Sequence, residues 1–482
     1  MNTTPAQQLE KLPEGRRRAY GPRRPWPRPP VPGQEGKGPT VTDLPWRTEL
    51  EFQRAIGKRL IAASATGWIR PLAKSMVQPY PDELDDQKIL DLLFGTVFCR
   101  FVTMPLSVQD ENLFAPFLES RRPDEVDFKV DFSAVSRIHT LPGIYAAPTV
   151  TLGRMSPDGT KRLMAMHISG LMLTPADENA WALARYFFMQ GAGLHGVLVH
   201  HTPLHFQFDA INAISISLLP PAHPLMRLLA PHFQFTLSLN RAALHSRLSI
   251  LTNNQMLAFA TFPGDSPSIH HFQATGWSGI EGNNAYPVYK FPRRPPPVYG
   301  ELGVFLGKYY DVIRGFVGRV IETIPDDDPH IPVWADEISR WVPGFPDASE
   351  MRTPGLLGDV AAYIVWGTSV AHSTEHYGLM EDIPLGAIPL RLRVPPPFSR
   401  NMPPLDRRRL TKMNDIFRQR VAWEVLVADH AATYLCDSRY HFEADALRQA
   451  NGTFLENLKQ LDAAQTGRRF IPLKRVARSI QF

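Results

Sequence analysis

The chain has 482 residues, 44% hydrophobic and 21% charged. That is enough apolar material for a large core, and it excludes disorder as the state of the whole chain. The formal charge of +5 sits at one end. Residues 1–40 carry Lys11, Arg16, Arg17, Arg18, Arg23, Arg24, Arg28 and Lys37 against Glu10, Glu14 and Glu35, so the rest is near neutral. Two cysteines, Cys99 and Cys436, exclude a disulfide framework or a thiolate metal centre and fit a reducing compartment. No stretch approaches the ~20 apolar residues that span a bilayer, and the N-terminus lacks the apolar core of a secretory leader.

The order of elements follows from pattern. Residues 13–40 are dense in proline and arginine and cannot pack a core, so 1–40 reads as a disordered basic tail. A peripheral membrane contact stays open for it, and no nucleic-acid partner is expected. Residues 41–482 read as one globular domain. Helical periodicity appears at 49–76 and 84–104. Short β-branched runs and the turn signal Ser156-Pro157-Asp158-Gly159 make 126–172 a small antiparallel hairpin region. After Asn179 the pattern is helical at 179–191, 194–218, 223–249, 299–324, 333–341, 355–378, 405–440 and 443–461. Proline-rich connectors lie at 292–297 and 395–397. The fold class is therefore mainly α, with a small β subregion.

Two pairs of histidines carry the chemistry. His372 and His376 are four residues apart in an apolar segment; on a helix that is ~400° of rotation, so both rings leave one face. Buried imidazoles need partners, and two core histidines bonded to carbonyls would satisfy the same pattern. In the other segment, helical spacing pairs His201 with His205, whereas His200 and His205 share a face only across a π-turn. Pro203 disturbs either arrangement. Four imidazoles without thiolates suit iron, zinc, copper or nickel. A carboxylate would balance the charge: Glu375, Asp209 or the terminal carboxylate of Phe482.

The stretch His195 to Asn240 resembles the lipoxygenase family. His195-Gly196-Val197-Leu198-Val199-His200 with His205 stands where that family has H-Q-L-x-x-H-x4-H, followed here by His223-Pro224 and by Pro231-His232-Phe233 through Thr236 to Asn240. The second motif is His372-Ser373-Thr374-Glu375-His376-Tyr377-Gly378-Leu379, and the tail Val476 to Phe482 runs in register with the family's C-terminus. The resemblance spans roughly 180–482. It implies a lipoxygenase catalytic-domain fold without the N-terminal lipid-binding β-barrel. It implies one non-haem iron held by His200, His205, His372, His376 and the Phe482 carboxylate, with a π-turn in the first pair. The implied reaction removes hydrogen from a cis,cis-1,4-pentadiene and adds O2, giving a lipid hydroperoxide.

Four positions depart from the family pattern, one of them Phe482, which stands where the family usually ends in isoleucine and whose bulkier ring must be packed. Gly196 and Leu379 replace two glutamines, which points to an altered substrate or weaker activity, and Asp209 replaces a glutamate. A lipoxygenase-fold oxidase or hydroperoxide isomerase acting on another lipophilic substrate therefore stands beside the fatty-acid dioxygenase. A non-enzymatic fold docking through its basic tail is the third reading. The expected setting is a cytoplasmic monomer, with membrane association open.

Overall fold

Alternation of apolar and polar residues builds the β subregion. The structure is a computed structural model and describes residues 25, 27–28, 40–41, 44, 46–55, 67–199, 202–247, 249–427 and 433–481. Val102–Thr103 (β1), Val126–Asp131 (β2), Thr149–Met155 (β3), Lys161–Ile168 (β4) and Leu171–Leu173 (β5) form one antiparallel sheet whose spatial order follows the chain. The β3–β4 hairpin closes at the expected turn. There Ser156 N–H donates to Thr160 O at 2.9 Å and Gly159 takes φ +85°, a conformation that glycine adopts without a Cβ clash. Arg154, buried in β3, is neutralised by Asp127 at 2.6 Å, as a buried cation requires.

The rest is helical. The elements that frame the site are Asp86–Gly95 (α1), Glu178–Leu194 (α2), Gln207–Leu218 (α3), Thr236–His245 (α4), Ser266–Ser278 (α5), Gly300–Ile321 (α6), Leu356–Trp366 (α7), His372–Tyr377 (α8) and Asp445–Ala463 (α9). The chain begins α1 at Asp85, whose carboxylate accepts from Lys88 N–H. All but one residue of α7 is buried, as expected for a helix apolar on every side. It packs against the long amphipathic α6, and α6 in turn stacks Phe316 on Phe454 of α9 with centroids 4.5 Å apart. One apolar core runs from Leu84 to Ile480.

Some boundaries differ from the sequence pattern. Residues 223–249 do not form one helix. They break into Pro224–Leu229, a 3-10 turn at Ala230–Phe233, and α4. Pro231 supplies no backbone donor, and Phe235 takes φ +68° at the start of α4. In 405–440 the main helical run is Met413–Val427; Pro403 and Pro404 precede it, and 428–432 lie outside the described residues. Helix 49–76 is seen as 46–55 and Ile69–Val77, with 56–66 outside the described residues. Most of the basic segment, and the expectation of disorder in it, also lies outside them. Of that segment, Pro25 and Pro27 are buried, Pro27–Arg28 pairs with Thr40–Val41, and Ser217 Oγ donates to Pro25 O at 3.0 Å.

Candidate metal centre

Four π-turns shape the two segments that carry the histidines. α2 runs into a π-turn at His195–Val199, and a second at Thr202–Phe206 leads into α3. His200 and His201 lie between them, outside the described residues, so the choice between these two rings is not addressed by the geometry. On the other side, α7 passes through a π-turn at Gly367–Ala371 into α8, and a further one follows at Gly378–Asp382. Close approach is possible because Gly367 has no side chain: a Cβ there would lie 2.6 Å from Phe208 Cζ of α3.

The helical spacing places His372 and His376 side by side, with ring centroids 4.5 Å apart. His205 enters from the other segment at 4.7 Å from His372 and 5.9 Å from His376. His205 Nε2 lies 3.0 Å from His372 Nε2, and one ring nitrogen from each of the three falls within 4.8 Å of the others. All three rings are buried.

Neighbours fix the state of His205. Its Nδ1–H donates to Asn240 Oδ1 at 2.9 Å, while the Asn240 amide donates to His205 O at 3.1 Å and to Asp209 Oδ1 at 2.7 Å. With the proton on Nδ1, Nε2 keeps a lone pair facing His372. Burial pushes the His205 ring down to about 4 despite the pull of Asn240, so the imidazole is neutral at ordinary pH. Neutral, buried, converging nitrogens are the donor set a transition metal takes. Two nitrogens ~2.1 Å from one ion at a right angle lie about 3.0 Å apart, which matches the separation seen.

The candidate carboxylates divide. Asp209 sits behind the ring, and burial raises its carboxyl well above the usual range even with Asn240 opposing. Glu375 lies between His372 and His376 in sequence but forms an ion pair with Arg100. Neither belongs to the cluster of converging groups found among the described residues. Phe482 lies outside those residues, yet the segment leading to it is pinned beside α8. Ala477 N–H donates to Ser373 Oγ at 2.9 Å, Ser479 Oγ to Gln234 O at 2.8 Å, and His232 Nδ1 to Arg478 O at 2.7 Å.

The roles of Asn240 and Arg100 were not legible beforehand. Asn240 was visible as the end of a motif, but its bond to a ring 35 residues away has no local signature. Arg100 has none at all. Gly196 and Leu379, by contrast, meet in the structure: Leu379 is fully buried and fills the space beside the glycine.

Comparison with known proteins gives a consistent result. A family model described as Lipoxygenase matches residues 151–265. The epidermal-type polyunsaturated fatty acid (12S)/(13S)-lipoxygenase of Mus musculus is 26% identical over 314 residues, 57% of this chain and 45% of that protein. The hydroperoxide isomerase ALOXE3 of Rattus norvegicus is 26% identical over 297 residues, 55% of this chain and 40% of that one. The chain thus spans less than half the length of these relatives. Among solved structures, coral 8R-lipoxygenase aligns with a TM-score of 0.69 at 15% identity, covering 100% of this chain and 82% of that one. The manganese lipoxygenase of Gaeumannomyces graminis aligns with a TM-score of 0.68 at 16% identity, covering 100% and 99%. By the matched family model, the related sequences and the shared fold, the chain is similar to the lipoxygenases.

Proposed function

We propose that the chain is a non-haem iron dioxygenase that adds O2 to the cis,cis-1,4-pentadiene of polyunsaturated fatty acids, yielding lipid hydroperoxides. The observation that carries this reading is the convergence of His205, His372 and His376, buried and within 4.8 Å of one another. His200 and the carboxylate of Phe482 would complete the set. The pinned tail, held at Ser479 and Ala477, supports the second of these. Residues 41–482 act as one catalytic unit, a reading supported by the large core that takes in residues from Leu84 to Ile480. A bound redox metal supplies the one-electron oxidation that accompanies loss of a proton from the doubly allylic carbon. The residues around it hold the ligands and exclude water. Asn240 keeps His205 in the metal-binding tautomer, and the fully buried Leu379 and Phe98 make the flanking wall apolar.

The nature of the metal is open to direct test, since one neighbour named above is a manganese enzyme. Elemental analysis of the purified chain should give about one iron per chain, lost in His372→Ala. O2 consumption should follow addition of linoleate, with a conjugated diene appearing, and should be absent with oleate. Zinc, or no linoleate-dependent uptake from metal-loaded protein, would overturn the proposal.

A second reading has one observation in its favour. The apolar pair Gly196 and Leu379 stands where the family motifs carry polar amides, and a hydroperoxide isomerase is among the relatives. This reading predicts conversion of linoleate hydroperoxide faster than oxygenation of linoleate. As for setting, no described helix is long and apolar enough to cross a membrane, and both cysteines are free thiols. We propose a cytoplasmic monomer that meets its lipid substrate at a membrane surface.

A further inference from the structure

The helix Ile69–Val77 is built inside out. Its buried residues are Pro71 and Ser75, four apart, and the helix packs on Met413–Val421. Its large apolar residues face solvent: Ile69 is 51% exposed, Met76 66% and Val77 87%. Together with the exposed Ala73 they follow the spacing i, i+4, i+7, i+8 and form one row along the helix. Trp68, at the N-cap, is 48% exposed. A surface helix ordinarily turns its apolar row to the core and its polar face to water. Single exposed apolar side chains need no explanation, but a contiguous row marks a contact with a partner or a membrane.

Charge is a second, independent observation. From Phe52 to Pro81 the sequence carries Arg54, Lys58, Arg59, Arg70 and Lys74 and no aspartate or glutamate. Arg70 and Lys74 flank the apolar row. Lys74 reaches Glu424 at 2.7 Å, and Arg70, its side chain 75% exposed, lies 3.7 Å from the same carboxylate. One acidic group answers two cations there. Around the adjoining hollow Arg420 and Arg475 stand beside Asp82 and Glu381, so the local excess stays positive. The centre of a protein–protein interface is depleted in lysine. A helix lying in the plane of a bilayer instead pairs an apolar row with lysine and arginine at its margins and tryptophan at headgroup level.

We propose that Ile69–Val77 docks the protein on an anionic lipid bilayer. Ile69, Ala73, Met76 and Val77 enter the acyl boundary, Trp68 sits among the headgroups, and Arg70 and Lys74 extend toward lipid phosphates. This puts the membrane contact proposed above on a named face. The helix also forms one wall of a hollow of about 1280 Å³ whose other side includes Met380 and Trp423, so docking holds the π-turn at Gly378–Asp382 next to the lipid. That the bilayer supplies the substrate rests on the proposed function; the docking does not.

The test is sedimentation of the full chain with two kinds of vesicle, phosphatidylcholine alone and phosphatidylcholine mixed equally with phosphatidylglycerol. Both carry only monounsaturated acyl chains, so no turnover is involved, and a chain that fails to oxygenate linoleate still answers the question. The protein should bind the anionic vesicles, and the neutral ones more weakly. Met76→Glu with Val77→Glu should weaken anionic binding by about tenfold or more, because each carboxylate meets acyl chains and lipid phosphates. Both positions are exposed, and the circular dichroism of this variant should match that of the parent. Met76→Leu with Val77→Ile should bind as the parent does. Arg70→Gln should cost about fivefold, the worth of one cation at an anionic surface. Equal binding by the parent and the Glu variant would assign the contact to another basic segment and overturn the proposal. So would a parent that ignores vesicles but dimerises through this row, with the Glu variant monomeric, or a parent that neither binds vesicles nor dimerises.

Discussion

A Cβ on Gly196 would lie 2.7 Å from Leu379 Cδ2 and 3.4 Å from Phe98 Cε1. The two residues that replace the motif glutamines are therefore a matched steric pair. The glycine makes room for the leucine, and the leucine seals the gap between the π-turns at His195–Val199 and Gly378–Asp382. Alanine usually favours a helix over glycine by about 1 kcal/mol. Here Gly196→Ala should instead cost about 1–3 kcal/mol through overpacking, and Leu379→Ala about 2–5 kcal/mol through the cavity left. In the double variant the losses should fall short of their sum by at least ~0.5 kcal/mol. Denaturant unfolding measures all three, and strictly additive losses would refute the pairing.

Asn240 sets the tautomer and orientation of His205 through one hydrogen bond. Partners of this kind are worth about 10–100-fold in metal affinity. Asn240→Ala should therefore retain metal poorly against a chelator while keeping the helical circular dichroism of the parent. Metal retention equal to that of the parent would show that His205 is oriented by packing alone.

Arg100 pairs with Glu375 inside the segment that carries His372 and His376. Glu375 is 1% exposed, and burial holds the Arg100 guanidinium down to about 10. Removing one member of a buried pair strands the other, at about 3–5 kcal/mol. Arg100→Met should lose that much, and Arg100→Met with Glu375→Gln should regain a large part. A double variant no more stable than Arg100→Met would assign the loss to packing of the arginine stem.

His232 has a different consequence, for pH. Its Nδ1–H donates to Arg478 O, and Nε2 accepts from Tyr440 O–H at 2.7 Å. Burial pushes the ring down to about 3, and it pushes His195 down to about 4. Above the unfolded value of about 6.5 both states are neutral and this stability is fully present. Below it the unfolded chain takes up protons that the folded chain refuses, so stability falls as pH drops toward 4, by up to about 1.4 kcal/mol per pH unit for each ring. Thermal melts at pH 7.5 and 5.5 should show the loss. His232→Asn should be less stable at pH 7.5, but flatter between the two.

The terminal carboxylate can be moved without touching a side chain. Gln481 Nε2 donates to Thr433 Oγ1 at 2.6 Å, and Arg478 N–H to Thr433 O at 3.0 Å, so the tail cannot slide. Adding one glycine after Phe482 should displace the carboxylate by a residue and cut metal content sharply while leaving the melting temperature of the metal-free chain unchanged. Full metal content in the extended chain would exclude the carboxylate as a ligand.

Local patterns determined much of this protein. The apolar run of α7, the turn at Ser156–Gly159 and the four-residue spacing of His372 and His376 are short-range features, set by backbone geometry and the period of burial. What they could not supply was the partner across the fold. Asp209 and Glu375 were both chemically plausible ligands, and only packing showed that Asn240 takes the first and Arg100 the second. Gly196 and Leu379 stood out as separate departures, and their contact depends on two π-turns brought together from positions 183 residues apart. Spacing specifies which side chains share a helix face. Which faces meet is decided by the common burial of several helices in one core, and no single segment encodes that.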